Sequence, residues 1–384
     1  MGSYIINSLR TPIGSYNGQL ASFSAPQLGS KVISALIKRV DVNLKDYDQV
    51  IMGNVLAAGL GQAPARQAAL SAGMGISTEC LTINKMCGSG LKAIMIADNE
   101  IKLGGADLVI AGGMESMSNA PLLVNKNLGN IGHQKMIDSM VHDGLWDVYD
   151  SMHMGSCAEL LVSKKKYSKE DQDDYAIKSY KKAQNAMFKG FFANEVVGIL
   201  HNDKLITDDE EPGRAKFEKI PLVKPAFEKN GTITAANASK LNDGAAAAVL
   251  ASEKKISQYN LDPDAKIIAH CSFAHNPKWF TTAPTKAIKK VLDLSGMSKD
   301  DIDLWEINEA FSAVTMAAIE DLRLDEAKVN IFGGAVALGH PIGASGARIL
   351  TTLLNALKIS DKKFGLACLC IGGGEASAMI VEKL

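Results

Sequence analysis

Short apolar runs alternate along this chain with amphipathic stretches rich in alanine, leucine and isoleucine, and the alternation predicts strands and helices in turn. Tyr4-Ile5-Ile6, Val50-Ile51-Met52-Gly53 and Cys80-Leu81-Thr82-Ile83 read as short strands bounded by turn residues. Segments from Val32 to Ile37, Ala65 to Ala72 and Leu91 to Leu103 read as helices, and Arg10-Thr11-Pro12-Ile13-Gly14 reads as a turn. Asp107-Leu108-Val109-Ile110-Ala111 is a buried strand ending in Gly112-Gly113-Met114-Glu115-Ser116. The order predicts an α/β fold with a mostly parallel sheet covered on both faces.

Around Ser118 the pattern changes to a long polar region rich in Asn, Lys, Asp and Met, with helical periodicity over Lys169 to Lys189. A structureless loop of that length does not suit a compact domain, so it reads as an inserted subdomain with helices of its own. From Ala236 to Ala251 the chain returns to small residues and a strand. Its second half then echoes the first. Phe364 to Ile371 is a buried strand ending in Gly372-Gly373-Gly374-Glu375-Ala376-Ser377, and the corner Gly343-Ala344-Ser345-Gly346 stands upstream much as Cys87-Gly88-Ser89-Gly90 does. A duplicated α/β unit follows. Its expected halves are residues 1–252, with the insertion at about 117–241, and 253–384.

Composition narrows the function. The 384 residues are 47% hydrophobic and 22% charged, enough for a large core. Forty-one Lys and Arg nearly cancel 42 Asp and Glu, so no global field draws the chain to nucleic acid or to an anionic membrane. Six unevenly spaced cysteines suit reduced thiols rather than a disulfide framework. With no basic region and apolar core at the start and no membrane-length apolar run, the expected location is cytoplasmic.

Chemistry concentrates at a few positions. Cys87 sits between a strand and a helix, where unpaired N–H groups and the helix dipole favour a thiolate, so its pKa is expected below that of a free thiol. His340 lies in the small-residue loop Gly333 to Gly346, able to take a proton from a thiol or to donate to an oxyanion. Cys368 and Cys370 share one face of a strand end, and with no further thiolate or imidazole at short spacing they favour thiol chemistry over a metal. Asn308 follows the strand-like Leu304-Trp305-Glu306-Ile307, where it caps the next helix or holds a water against an oxyanion.

These motifs in order, Asn84-Lys85-Met86-Cys87-Gly88-Ser89-Gly90, Ala111 to Ser118, Asn308-Glu309-Ala310-Phe311, Gly339-His340-Pro341 and Cys370-Ile371-Gly372-Gly373-Gly374, resemble those of the thiolase family over essentially the whole chain. The resemblance implies the duplicated, five-layered thiolase fold and a ping-pong exchange. In it Cys87, activated by His340, is acylated by an acyl-CoA; Cys370 then takes a proton from a second acetyl-CoA, and the carbanion attacks the acyl-cysteine. Backbone N–H groups of Cys87 and Gly372 are implied as one oxyanion hole, and His340 with a water held by Asn308 as the other.

The resemblance further implies that the insertion covers coenzyme A, with Ala235 and Ser239 near the pantetheine arm and Arg214 a phosphate partner. His153-Met154-Gly155 is similar to the short-chain biosynthetic branch, with His153, Met154 and Phe227 narrowing the acyl pocket. Acetyl-CoA and acetoacetyl-CoA are the implied substrates, with no cofactor beyond coenzyme A itself and a homotetrameric assembly. A broad-range 3-ketoacyl-CoA thiolase of degradation, a non-catalytic acyl-CoA-binding relative and a decarboxylating ketoacyl synthase are the alternatives; His153 speaks against the first, the presence of Cys87, His340 and Cys370 against the second, and a cysteine in place of a second histidine against the third. The chain departs from the family pattern at Lys240, usually Gly, and at Glu375, and Phe280-Thr281-Thr282-Ala283-Pro284 replaces a Met-Gly-x-Gly-Pro stretch that lines the pantetheine tunnel.

Overall fold

Residues 2–126 and 133–384 are described by the computed structural model. The first half runs β1 (Ser3–Arg10), α1 (Ala25–Val40), β2 (Gln49–Gly53), α2 (Pro64–Ser71), β3 (Glu79–Ile83), α3 (Ser89–Leu103) and β4 (Leu108–Ser116). Inserted helices α4 (Met154–Lys165) and α5 (Lys169–Phe188) follow, and β5 (Asn242–Ser252) closes the half. The second half runs β6 (Ala265–Ala274), α6 (Ala283–Ser295), β7 (Leu304–Ile307), α7 (Ser312–Leu322), α8 (Ser345–Ile359), β8 (Phe364–Ile371) and β9 (Glu375–Lys383).

The strands lie in the order β7-β8-β9-β6-β1-β5-β4-β2-β3, and the duplication is explicit in their pairing. In the first half β1 pairs antiparallel with β5, β5 antiparallel with β4, and β4 and β3 both flank β2 in parallel. In the second half β6, β9, β8 and β7 repeat the same senses, and a parallel bridge from Trp305 to Val329 stands where β3 stands in the first. Even an irregularity repeats: the register shifts between Ile5 and Asn7 in β1 and between Ile267 and Ala269 in β6.

The expectation of a mostly parallel sheet is therefore corrected, because antiparallel pairs dominate. The cause is connection length. Gly372-Gly373-Gly374 turns β8 straight into β9, which allows only an antiparallel partner, and β5 arrives from the insertion rather than from a crossover helix. Two sequence boundaries also move: β4 runs on through Gly112 to Ser116 instead of stopping at Ala111, and β1 extends to Arg10, which belongs to the strand and not to the turn.

Period-two alternation sorts the strand side chains into layers. Val50, Met52, Leu108 and Ile110 face α1 and α2, while Ile51, Val109 and Ala111 face the centre. On the other side Leu366, Cys368 and Ile380 face α6 and α7, while Ala367, Leu369 and Met379 face the centre. The centre is filled by α3 and α8, giving five layers, α-β-α-β-α. These two helices touch backbone to backbone: a Cβ on Gly346 would lie 2.4 Å from Leu91 N, and one on Gly90 2.8 Å from Ala347 N.

The insertion is fastened by a buried ion cluster. Arg10 Nε donates to Glu195 at 2.6 Å, and its two Nη groups grip Asp209 at 2.7 and 2.9 Å in the bidentate geometry that favours arginine. All three side chains are excluded from water. Replacing the arginine leaves two carboxylates buried without their partner, so Arg10→Met is expected to cost about 3–5 kcal/mol of stability. Urea unfolding checks it: an unchanged midpoint contradicts the assignment of Arg10 as the clasp.

Candidate functional site

Cys87 occupies a tight turn between β3 and α3. Met86 adopts φ +46°, a left-handed conformation that a non-glycine side chain takes only when its surroundings enforce it. Two side chains do so: Asn84 Oδ1 accepts from Met86 N at 2.9 Å, and Ser89 Oγ accepts from Lys85 N at 2.8 Å while donating to Met86 O at 2.6 Å. Gly88 lets the turn press against Ile371 at the end of β8, where a Cβ would come within 2.4 Å of Ile371 Cδ1. The nucleophile candidate is thus seated against the Gly372 turn of the other half.

The sulfur is faced by the backbone N–H groups of Gly372 and of Cys87 itself, which favour a thiolate, but burial outweighs them and pushes the thiol up to about 11. The expected depression below the free-thiol value is corrected accordingly. A helix terminus stabilises charge only by a modest amount, whereas a dry pocket penalises charge more.

His340 is anchored at its backbone and at its ring. Its backbone N–H donates to Asn242 Oδ1 at 2.8 Å, and Gly339, at φ +111°, allows that approach. Ring Nδ1 lies 2.6 Å from Ser345 Oγ, and that hydroxyl donates to Pro341 O at 2.9 Å. The hydroxyl's one proton being so placed, Nδ1 carries the ring proton and Nε2 is the basic nitrogen. Burial, aided by the nearby Arg348 charge, lowers the imidazole to about 3, so it is neutral at physiological pH.

Asn308 does not cap α7, which begins at Ser312 after Phe311; that reading is corrected. Arg348 Nη2 instead donates to Asn308 Oδ1 at 3.4 Å, and Asn308 Nδ2 lies 3.5 Å from His340 Nδ1. With its oxygen on arginine and His340 Nδ1 protonated, Asn308 Nδ2 packs beside the imidazole without donating to it and keeps its hydrogens for another acceptor. Cys370, one residue before the end of β8, is fully buried in the apolar cluster that holds Met154, Phe280, Ala310 and Phe311, and burial raises its thiol well above the ordinary value.

Cys87, His340 and Gly372 line one narrow cavity of roughly 100 Å³, together with His153, Met154, Phe227, Ser239 and Phe280. Cys370 and Asn308 stand behind its wall. His153 starts α4 as its cap, its Nδ1 accepting from Gly155 N at 3.1 Å, and its ring packs on Phe227 with centroids 4.7 Å apart. Gly155 is required there, since a Cβ would fall 2.2 Å from the Phe227 ring.

Arg214 and Ala235 do not share this cavity. They line an outer cleft of about 460 Å³ with Lys216 and Lys219, and Lys240 and Leu241 border both spaces. Arg214 is largely exposed, its Nη1 3.4 Å from Glu210. The two spaces adjoin, with Lys240 and Leu241 in the wall of each, and Arg214, Lys216 and Lys219 make the outer one cationic. Among the described residues no group of His, Cys, Asp and Glu is arranged to hold a metal ion.

Several residues that shape the site went unread in the sequence. Glu115 accepts from Asn54 Nδ2 at 2.7 Å, from Val55 and Leu56 N–H at 3.0 and 3.1 Å, and from Gly343 N–H at 2.8 Å, so one buried carboxylate ties the β2 loop to the histidine loop. A charged residue inside an otherwise apolar strand was the available signal. Asn242 and Arg348 carried no signal of that kind.

A thiol and a neutral imidazole, each delivered by a glycine-rich turn from one half of a duplicated α/β fold, meet at the end of a narrow channel. The family models for the thiolase N-terminal and C-terminal domains match residues 3–254 and 261–383. The chain belongs to the thiolase family. It is 48% identical to the mitochondrial acetyl-CoA acetyltransferase of Mus musculus, over 99% of this chain and 91% of that one, and 46% identical to the acetyl-CoA acetyltransferase of Schizosaccharomyces pombe, over 99% and 98%. The crystal structure of the Acat5 thiolase from Ascaris suum in complex with coenzyme A superposes with a TM-score of 0.97 at 46% identity, all of each chain being covered.

The protonation states make a direct prediction. Alkylation of Cys87 by iodoacetamide, followed by peptide mass spectrometry, should rise about tenfold per pH unit from pH 7 towards 10, because only the thiolate reacts. His340 adds no inflection in that range. A rate already level by pH 8 means a thiolate held by charged imidazole, and contradicts this description.

Proposed function

We propose that the protein is an acetyl-CoA C-acetyltransferase, joining two acetyl-CoA into acetoacetyl-CoA and free CoA, and running the reverse thiolysis. The observation that carries the reading is the single cavity in which Cys87, Gly372 and His340 meet, adjoining a cleft with a cationic rim. Names borne by relatives at 46–48% identity over nearly the full chain support it.

Cys87 Sγ attacks the thioester carbonyl, and its proton passes to the basic nitrogen of His340. The oxyanion faces the N–H groups of Cys87 and Gly372, the same pair that faces the sulfur at rest. The C–S bond to CoA breaks, and the Cys370 proton leaves with it as free CoA thiol. Cys370 thiolate then takes a proton from the methyl of a second acetyl-CoA. Burial suits it to that task, since a thiolate destabilised by its surroundings is a stronger base. His340 and an Asn308-held water stabilise the enolate, the carbanion attacks the acyl carbon, and Cys87 departs to recover its proton from His340. Splitting one carbon–carbon bond formation into two transfers lowers the barrier of each.

Arg214, with Lys216 and Lys219 at the rim, is read as meeting the CoA phosphates, with Ala235 and Ser239 beside the arm. His153, Met154, Phe227 and Phe280 limit the acyl group to a short chain. Coenzyme A is substrate and product, with no further cofactor. The assembly is read as a homotetramer, supported by the outer edge of β3, where Leu81 is 46% exposed, and by exposed Leu122 and Ile137 on a pair of two-residue strands. The cytoplasm is the assigned compartment, supported by six free thiols; a tagged chain that follows a mitochondrial marker would contradict it.

Thiolysis of acetoacetyl-CoA beside longer 3-ketoacyl-CoA substrates tests the reading. The C4 substrate should be cleaved fastest, Cys87→Ala should abolish turnover, and His340→Ala and Cys370→Ala should each lower kcat by about 10²–10⁴-fold. Comparable rates on long chains contradict the short-chain assignment, and an inactive wild type contradicts the enzyme. Light scattering checks the assembly: a tetramer is expected, and a monomer at micromolar concentration overturns that part.

A further inference from the structure

Lys240 lines both the outer cleft and the inner cavity. Its side chain is partly buried, yet among the described residues no carboxylate lies within ion-pair distance. What it has instead are two backbone carbonyls of the preceding turn, Ala235 O at 2.6 Å and Ala238 O at 2.9 Å, and the Tyr180 ring of α5 at 5.7 Å. A lysine whose charge is solvated by carbonyl oxygens and an aromatic face is a cation built into a loop.

That loop is held firmly on its other side. Thr234 N–H donates to Asn237 Oδ1 at 2.8 Å, Asn237 Nδ2 to Asp173 of α5 at 2.8 Å, and Ser239 N–H to Ala310 O at 3.0 Å. Among the described residues, the Lys240 ammonium is the one side-chain donor to the loop's carbonyls at 235 and 238. Burial lowers the amine to about 8, while Glu211 and Glu309 favour its charge, so it is mostly protonated at neutral pH. Two of its three N–H groups are spent on the carbonyls. The third finds no acceptor among the described residues, and the side chain lines both the cleft and the cavity.

We infer that Lys240 is a positioning residue for the CoA-bearing substrates, its ammonium fixing the Ala235–Ser239 turn in the shape that receives the arm and offering its remaining N–H to an amide carbonyl of that arm. This deepens the reading of the cleft and cavity as a CoA channel and rests on it. The role is distinct from chemistry, because nothing places Lys240 on the reacting atoms.

The experiment compares wild type with Lys240→Ala and Lys240→Gln in acetoacetyl-CoA thiolysis, with thermal unfolding of each. Lys240→Ala should raise KM for acetoacetyl-CoA about tenfold or more, as loss of hydrogen bonds from a charged donor does, with kcat within about threefold. Added methylammonium, which carries three N–H donors, should restore part of the lost KM; tetramethylammonium, equal in charge without donors, should not. Lys240→Gln, which keeps N–H donors and loses the charge, should fall between and carries the comparison if the alanine variant does not fold. An unchanged KM in an active, folded variant overturns the inference and leaves the enzyme reading intact. A parallel fall in kcat and melting temperature with no rescue reduces Lys240 to a packing role and also overturns it. A wild type without activity on acetoacetyl-CoA fails the parent reading instead.

Discussion

The site depends on how closely α3 and α8 approach at the centre of the molecule. No side chain fits between Gly90 and Ala347 or between Gly346 and Leu91, so the two backbones meet directly. Each helix starts at a turn, and the contact brings the two turns together, one carrying Cys87 and the other opening just after His340. Two further close approaches fix the distance. Gly113 of β4 admits Gly343, where a Cβ would fall 2.0 Å from its carbonyl oxygen, and Glu115 binds the Gly343 N–H. Duplication of one α/β unit thus supplies both the scaffold and the pairing of thiol with base.

Electrostatics gives that pairing its character. Burial holds the thiol protonated and the imidazole neutral, so the resting site carries no charge pair to solvate. In the proposed reaction the donors that cannot fully stabilise a thiolate, the N–H groups of Cys87 and Gly372, are then free to stabilise the oxyanion that appears on the substrate. A site tuned in this way favours charge where the transition state develops it rather than in the ground state. In the proposed reaction Cys370 follows the same logic, since burial makes its thiolate a poor resting form and a strong base.

Much of this was legible in the sequence. The strand-to-helix corner at Cys87, the small-residue loop around His340 and the echo of each glycine-rich strand end in the other half all rest on local patterns of residue type, and the structure holds each of them. What was missed lies beyond local pattern. β9 starts directly after three glycines, so Glu375 onward reads as the tail of a turn; its partners β8 and β6 appear only once the sheet forms. Asn308 has the sequence context of a helix cap, and Arg348, forty positions away, claims its carbonyl oxygen instead. The direction of the Cys87 shift turned on burial, which sums contributions from both halves and from the insertion. The left-handed Met86 carried no signal at all, because its conformation is imposed by Asn84 and Ser89 through hydrogen bonds.

The claim that everything else serves is that Cys87 carries the acyl group. Protein exposed briefly to acetyl-CoA, quenched in acid and digested, should yield the peptide containing Cys87 with one acetyl group added, and the acetyl should vanish when free CoA is supplied before the quench. Acetyl on Cys370 or on a lysine in place of Cys87, or product formation with Cys87 never acetylated, would contradict the account.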